Sequence, residues 1–234
     1  GPIVSTLHNY RPLCANGLLF REGAVCTRCP DGSRIAAVRH GCYRESRLAS
    51  LPHAVKGFGY TKDRLLQRSD QLIALTNLAA NVYRQYGVPE SKINVMPNFI
   101  GQIHSAATPP PKTSRWLAVG RLSPEKGFGA LVSDWPHDSH LDLFGDGPEM
   151  GLLAQSIPRN NIHLMGAIDR DHLRKLMPCY SGLVIPSVWF EGLPQTLIEA
   201  TEAGLPVVAR ESTGASENVK AFNIGVTYST PEEL

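Results

Sequence analysis

No stretch of the chain carries the ~20 consecutive apolar residues that a bilayer-spanning helix needs, so a helical span within this sequence is excluded. The opening residues Gly1-Pro2-Ile3 lack the basic start and small-residue cleavage pattern of a secretory signal, and an initiator Met is also missing. The expectation is a processed or cut N-terminus and a cytoplasmic protein. No internal repeat stands at a fixed period, which sets solenoid architectures aside. Aromatic residues are sparse among the basic residues of the first segment. Tyr43, Phe58 and Tyr60 are the candidates there, which disfavours a base-stacking nucleic-acid surface. Net charge is only +2 and names no partner by itself.

The distribution of charge says more. Residues 1–68 hold eleven Lys/Arg and four Asp/Glu, and the remainder is net acidic. A basic first segment suits an anionic lipid surface, a phosphorylated acceptor or nucleic acid, or is simply a solvated face. Arg34, Arg39, Arg44 and Arg47 are the candidates for a membrane surface, and helical spacing begins at Arg44.

The chain divides near its middle. Ile103 to Ser114, centred on Thr108-Pro109-Pro110-Pro111, reads as a stiff linker, because a Pro run cannot enter a sheet interior. This gives residues 1–102 as one domain, 103–114 as linker and 115–234 as a second domain. In the second, short apolar runs alternate with helical patterns. The strands expected are Trp116–Val119, His140–Phe144, Ile162–Met165, Leu183–Ile185 and Pro206–Ala209. The helices expected are Glu149–Ser156, Asp169–Met177 and Gln195–Ala203, the last with Pro194 before it and Gly204 after it. Such alternation predicts an α/β fold with a parallel sheet covered on both faces, ligands gathering beyond the strand C-termini. The first domain repeats the pattern less completely, with strands at Ile3–Leu7, Ser69–Leu75 and Ile93–Met96. At the far end, Ser229 to Leu234 reads as the start of a helix.

Four of the five cysteines lie close in sequence: Cys14, Cys26, Cys29 and Cys42, within a Gly-, Pro- and polar-rich insertion at residues 10–45. Four thiolates fit a structural Zn²⁺ site. Free or redox thiols and, less readily, disulfides remain alternatives. Cys179 reads as a buried packing residue at a helix end.

Chemistry concentrates in three places. Gly120-Arg121-Leu122-Ser123-Pro124-Glu125-Lys126-Gly127 sets two cations on a bendable loop straight after a strand, where they could clamp a diphosphate and neutralise it as it departs. Glu191-Gly192-Leu193-Pro194-Gln195-Thr196 opens a helix whose N-terminus favours phosphate and which carries Glu199, a candidate partner for ribose hydroxyls. Gly145-Asp146-Gly147-Pro148 is a turn at another strand end.

The ordered set Gly-Arg-Leu-x-x-Glu-Lys-Gly, Gly-Asp-Gly-Pro, Pro-Ser-x-Trp-Phe-Glu-Gly-Leu-Pro-x-Thr-Leu-x-Glu-Ala and Ala-Gly-Leu-Pro-Val-Val-Ala resembles glycosyltransferase family four over nearly all of residues 116–228. The resemblance implies a GT-B fold of two Rossmann-like domains, the first incomplete here. It implies a retaining transfer of a hexose from a nucleotide-diphosphate sugar, with a UDP- or GDP-sugar as donor and no catalytic metal. The acceptor would be a glycan, glycolipid or lipid carrier, as in cell-surface polysaccharide synthesis, and the basic first segment would suit its peripheral placement at the inner face of a membrane. Residue by residue, Arg121 and Lys126 would hold the diphosphate and Glu199 the ribose. Glu191 and the backbone of Gly192 and Leu193 would face the hexose, Thr196 would stand in the first turn beside it, and Ile168 would lie near the base. Val4-Ser5-Thr6-Leu7-His8 resembles the family's strand ending in Thr-x-His, which makes His8 a catalytic candidate. The family's first strand with its Gly-rich loop, and its C-terminal returning helix, have no counterpart in the sequence. An inactive donor-binding fragment and, more distantly, a zinc-ribbon-like nucleic-acid module are the competing readings.

Overall fold

A computed structural model describes residues 1–99, 112–157 and 160–234. The chain folds into two compact units, Gly1–Pro97 with Trp189–Gly192, and Asn98–Val188 with Leu193–Leu234. Most of the expected linker lies outside the described residues. Its end at Thr113 belongs to the second unit, where the backbone N–H and hydroxyl of Thr113 both donate to the Cys179 carbonyl.

The second unit is built on β6 (Arg115–Val119), β7 (His140–Phe144), β8 (Ile162–Gly166), β9 (Gly182–Ile185), β10 (Val207–Arg210) and β11 (Gly225–Tyr228), all parallel in the order β11-β10-β9-β6-β7-β8. Between them run α5 (Phe128–Asp134), α6 (Met150–Ser156), α7 (Arg170–Leu176), α8 (Gln195–Glu202) and α9 (Gly214–Phe222). Every residue of β9 is buried, the continuous apolar run a strand covered on both faces requires. Leu117, Ala118, Leu141, Leu143 and Val184 from the sheet join Phe128, Leu131 and Leu153 from helices, and Trp135 just past α5, in the core. Each large side chain there contributes about 1.5–3 kcal/mol on burial. The five strands expected from sequence are present. The sixth, β11, begins on a glycine, and its first two residues are exposed at the sheet edge, so it lacks an apolar run.

At the start of the strands, Asp142 is buried and ion-pairs with Arg115, with His163 Nδ1 3.2 Å away and the Tyr180 hydroxyl donating to it at 3.0 Å. Burial alone would push the Asp142 carboxyl up. Hydrogen bonds from Arg115 and Tyr180 outweigh it and hold the group below the ordinary carboxylate range.

The first unit has a smaller parallel sheet of β1 (Val4–Leu7), β4 (Gln71–Ala74) and β5 (Ile93–Val95), in the order β1-β4-β5. Between β1 and β4 come a two-residue antiparallel pair, β2 (Phe20–Arg21) and β3 (Ala24–Val25), then α1 (Arg34–Arg39), α2 (Arg47–Lys56) and α3 (Arg64–Arg68); α4 (Asn77–Gln85) follows β4. The helix starts are set by local capping: Ser46, Asp63 and Thr76 each accept from backbone N–H groups of the next turn. The expected C-terminal helix start is a single 3₁₀ turn, Pro231–Glu233, with a Thr230–Glu233 capping box.

Candidate functional site

The strand order of the second unit reverses at β6. From there the chain moves outward one way through β7 and β8, then returns to add β9, β10 and β11 on the other side. In open parallel sheets the crevice beyond such a reversal is where ligands sit. The loop after β6 carries Arg121 and Lys126. The segment after β9 leads through Leu193 and Pro194 into α8. Both motif segments therefore follow neighbouring strands at the point of reversal.

Backbone geometry holds the Arg121–Lys126 loop from two sides. Gly127 has φ +72°, and a Cβ there would lie 2.2 Å from the Pro186 carbonyl oxygen at the end of β9. Gly145 (φ +151°) and Gly147 (φ +157°) leave no room for a side chain, with a Cβ 1.9 Å from the Gly120 oxygen and 2.4 Å from the Leu122 oxygen respectively. Leu122 N–H donates to the Asp146 carbonyl and Glu149 N–H to the Leu122 carbonyl, both at 2.9 Å. The Gly-Asp-Gly-Pro turn is thus a clasp on the cationic loop, a role that turn chemistry alone did not disclose.

Arg121 is exposed and ion-pairs with Glu125, which is 4 % exposed and also accepts from Ser123 Oγ at 2.8 Å. Burial would raise the Glu125 carboxyl, but the hydrogen bonds from Ser123 and Arg121 win and lower it, so it is ionised at neutral pH and anchors the guanidinium. Glu125 is a positioning residue that the sequence reading did not single out, although its i,i+4 spacing to Arg121 was a signal. Lys126 is half-buried in the 3₁₀ turn Pro124–Lys126.

Helix α8 starts at Pro194, whose ring fixes an extended entry and supplies no capping side chain. Its first-turn N–H groups face the end of the helix with the positive pole of the dipole. Thr196 is half-buried in that turn and Leu193 is buried just before it. Glu199, one turn in, is buried rather than solvated. It accepts from Arg170 Nε, while Arg174 stands 3.8 Å away and Arg170 also reaches Gln195 Oε1 at 2.8 Å. These arginines lie far away in sequence on α7, and no spacing rule could have found them. Ile168 is half-buried between the end of β8 and Asp169. Asp169-Arg170-Asp171 has the Asp-x-Asp spelling of a divalent-ion pair, but Asp169 is spent capping α7 through bonds to the N–H groups of Asp171 and His172.

The catalytic candidates belong to the first unit. His8 is exposed just past the end of β1, and the Tyr83 hydroxyl donates to the neighbouring Asn9 carbonyl, pinning the turn. Burial pushes the Tyr83 hydroxyl well up, so it stays a donor. Glu191 is buried and groups with Gly192 in this unit.

Cys14 and Cys29 are buried and Cys26 and Cys42 half-buried, with no disulfide among the described residues. Among those residues no group of three or more His, Cys, Asp or Glu side chains is placed to hold a metal ion. Cys14 Sγ donates to Asn16 Oδ1 at 3.0 Å. Burial, with Cys14, Cys42 and Cys26 nearby, pushes the Cys29 thiol up to about 12. Such a thiol is a protonated packing group. Cys179 is half-buried, not buried, at the end of the 3₁₀ turn Met177–Cys179, where its carbonyl accepts from Thr113.

The description "Glycosyl transferases group 1" matches residues 113–234, more than half of the chain. The chain belongs to this glycosyltransferase family. Among relatives, it is 34% identical to the amylovoran biosynthesis glycosyltransferase AmsD of Erwinia amylovora over 128 residues, 52% of this chain and 36% of that protein. It is 24% identical to the putative colanic acid biosynthesis glycosyltransferase WcaL of Salmonella typhimurium over 212 residues, 82% of this chain and 50% of that protein. The chain thus spans between a third and a half of these family members. Among solved structures, Anabaena Alr3699/HepE in complex with UDP and glucose superposes with a TM-score of 0.65 at 19% identity, covering 98% of this chain and 58% of that one. The lipopolysaccharide outer core galactosyltransferase WaaB gives 0.60 at 20% identity, covering 79% and 59%. These likenesses establish the GT-B fold.

Proposed function

We propose that this family member is a family-four retaining transferase that moves a hexose from a UDP- or GDP-sugar to a glycan or lipid-linked acceptor without a catalytic metal. The observation that carries the reading is that the loop bearing Arg121 and Lys126 and the segment leading to the uncapped start of α8 follow β6 and β9, the neighbouring strands at which the order reverses. Three positive features there suit a diphosphate leaving group, whose growing charge they would neutralise. Glu199 would accept from the ribose hydroxyls, sharing its carboxylate with Arg170. Ile168 would face the base, and Thr196, Leu193 and Gly192 the sugar-phosphate. UDP is the first nucleotide to try, since the HepE structure holds it.

In the proposed reaction the bond from the anomeric carbon to the β-phosphate oxygen breaks, and the acceptor hydroxyl bonds to that carbon from the same face. Its proton passes to the departing diphosphate, so charge and atoms balance. His8 and Glu191 would line the hexose side and order the acceptor. The test is nucleotide release from a UDP-hexose with and without acceptor, with the product anomer read by NMR coupling constants. An inverted anomer would refute retention. No release under any acceptor, with UDP still bound, would support a donor-binding fragment.

The surface of the first unit supports a place on the cytoplasmic face of a membrane. Leu48, Leu51 and Val55 share one exposed face of α2, and Ile35 is exposed on α1, among Arg34, Arg39, Arg44 and Arg47. No helix among the described residues is long and apolar enough to cross a membrane, so the proposal is surface attachment. Each basic residue near anionic lipid contributes about 1 kcal/mol. Sedimentation with anionic vesicles, weakening as salt rises, is the expected result, and equal binding to neutral vesicles would oppose it.

A further inference from the structure

Within the first unit, a cleft of about 710 Å³ opens at the C-terminal end of β1, beside His8. Four cations line it, Arg11, Lys56, Lys62 and Arg64, against one carboxylate, Asp63. That carboxylate is already spent. Asp63 is buried, accepts from the N–H groups of Leu65 and Leu66 at 2.9 and 3.2 Å as the cap of α3, and ion-pairs with Lys56. Arg11, Lys62 and Arg64 have no ion pair among the described residues. The stem of Arg11 is packed rather than free to swing away. A Cβ on Gly17 would sit 2.9 Å from its Cγ, and its guanidinium lies 5.6 Å from the centre of the Tyr43 ring.

Ordinary surface cations are scattered or matched by acids. Here three unmatched ones converge on one concavity, next to the residue assigned to the reacting sugar. Concave low-dielectric walls strengthen the field of such a group and favour an anion over a neutral sugar. We propose that this cleft binds the phosphate of the acceptor, so that the acceptor is a phosphorylated or diphosphate-linked glycan and Lys62, Arg64 and Arg11 select it over a neutral one. The proposal rests on the reading of the chain as a transferase that needs an acceptor, and it adds that acceptor's chemical class. It assigns Lys56 to holding Asp63 rather than to the ligand.

The test is a titration with inorganic pyrophosphate, followed by calorimetry, on the wild type, the Lys62→Ala/Arg64→Ala double variant and Lys126→Ala. Two sites are expected in the wild type. The double variant should lose one, with at least a ten-fold weakening, while its affinity for UDP stays unchanged. Lys126→Ala should lose the other. A double variant that retains both sites at wild-type affinity overturns the cleft assignment. Loss of UDP binding in that variant would likewise overturn it, by showing a fold defect instead. A wild type that binds pyrophosphate in the cleft but no nucleotide would leave the cleft standing and remove the transferase reading, so the two can fail separately. Competition then names the source. A hexose 1-phosphate and a short prenyl diphosphate should displace pyrophosphate from the cleft, and the stronger of the two identifies a free or a lipid-linked acceptor. Displacement by the methyl glycoside of the same hexose as effective as by the 1-phosphate would overturn selection for phosphate.

Discussion

The two units handle charge in opposite ways. In the second, the key charged side chains are held before any ligand arrives: Arg121 by Glu125, and Glu199 by Arg170. In the first, the cations of the cleft outnumber the one acid, and that acid caps a helix. A site that must stabilise charge developing during a reaction gains from groups fixed in advance, since reorientation then costs nothing at the moment of bond breaking. A site that only recruits a charged partner gains from field and needs less rigidity. The contrast is what a donor site and an acceptor site would be expected to show.

The sharpest way to break the rigid half is Gly145→Ala. The new Cβ would meet the Gly120 oxygen at 1.9 Å in a backbone conformation side chains rarely adopt. A loss of about 3 kcal/mol in stability is expected, with loss of UDP binding. Gly151→Ala, in α6 with nothing within 4 Å of the new Cβ, is the control and should be neutral or stabilising by about 0.5–1 kcal/mol. Thermal melts of both variants check this, and equal melting points would show that the clasp is not needed.

Glu199→Gln comes next. It weakens a charged hydrogen bond, a change of about 1.5–3 kcal/mol if the bond is lost outright. Affinity for UDP should fall more than affinity for 2′-deoxy-UDP. An equal fall for both would assign Glu199 to Arg170 alone.

Asp142 offers a pH test of the same unit. Its carboxyl lies below the ordinary range, so it adds stability that is present above the unfolded-state value, near 4, and disappears as pH falls through the lower folded-state value. Melting temperature should therefore drop on acidification below about pH 4, and Asp142→Asn should flatten that part of the profile. A variant profile parallel to the wild type would contradict the assignment.

The smallest effect concerns the first unit. Cys29, with its thiol raised to about 12, should resist alkylation at pH 8 in the folded protein and react once unfolded. Rapid labelling of folded protein, mapped by mass spectrometry, would show the thiol to be activated.

The sequence disclosed what depends on neighbours in the chain. Alternating apolar runs located β6 to β10. Pro194 and Gly204 bracketed α8, and Gly204 does sit at φ +63° beyond its end. Contacts between distant elements were not legible. Arg170 reaches Glu199 across 29 residues, and the Gly145–Gly120 approach joins two strand ends. Helix α5 was missed because it starts from Gly127 in a left-handed conformation and contains Gly129, which blurs its period. For α9 the signal existed, since Thr213 and Ser216 form a capping box, but with Ser in place of the usual Glu or Gln.

The central claim is that Arg121 and Lys126 hold a diphosphate at the strand-order reversal of the second unit. Calorimetric titration of UDP and of uridine into the wild type, Arg121→Ala and Lys126→Ala tests it directly. Each substitution removes a charged hydrogen bond worth about 1.5–3 kcal/mol, so UDP affinity should fall roughly 10- to 150-fold while uridine affinity holds. Variants that bind UDP as tightly as the wild type would contradict the account.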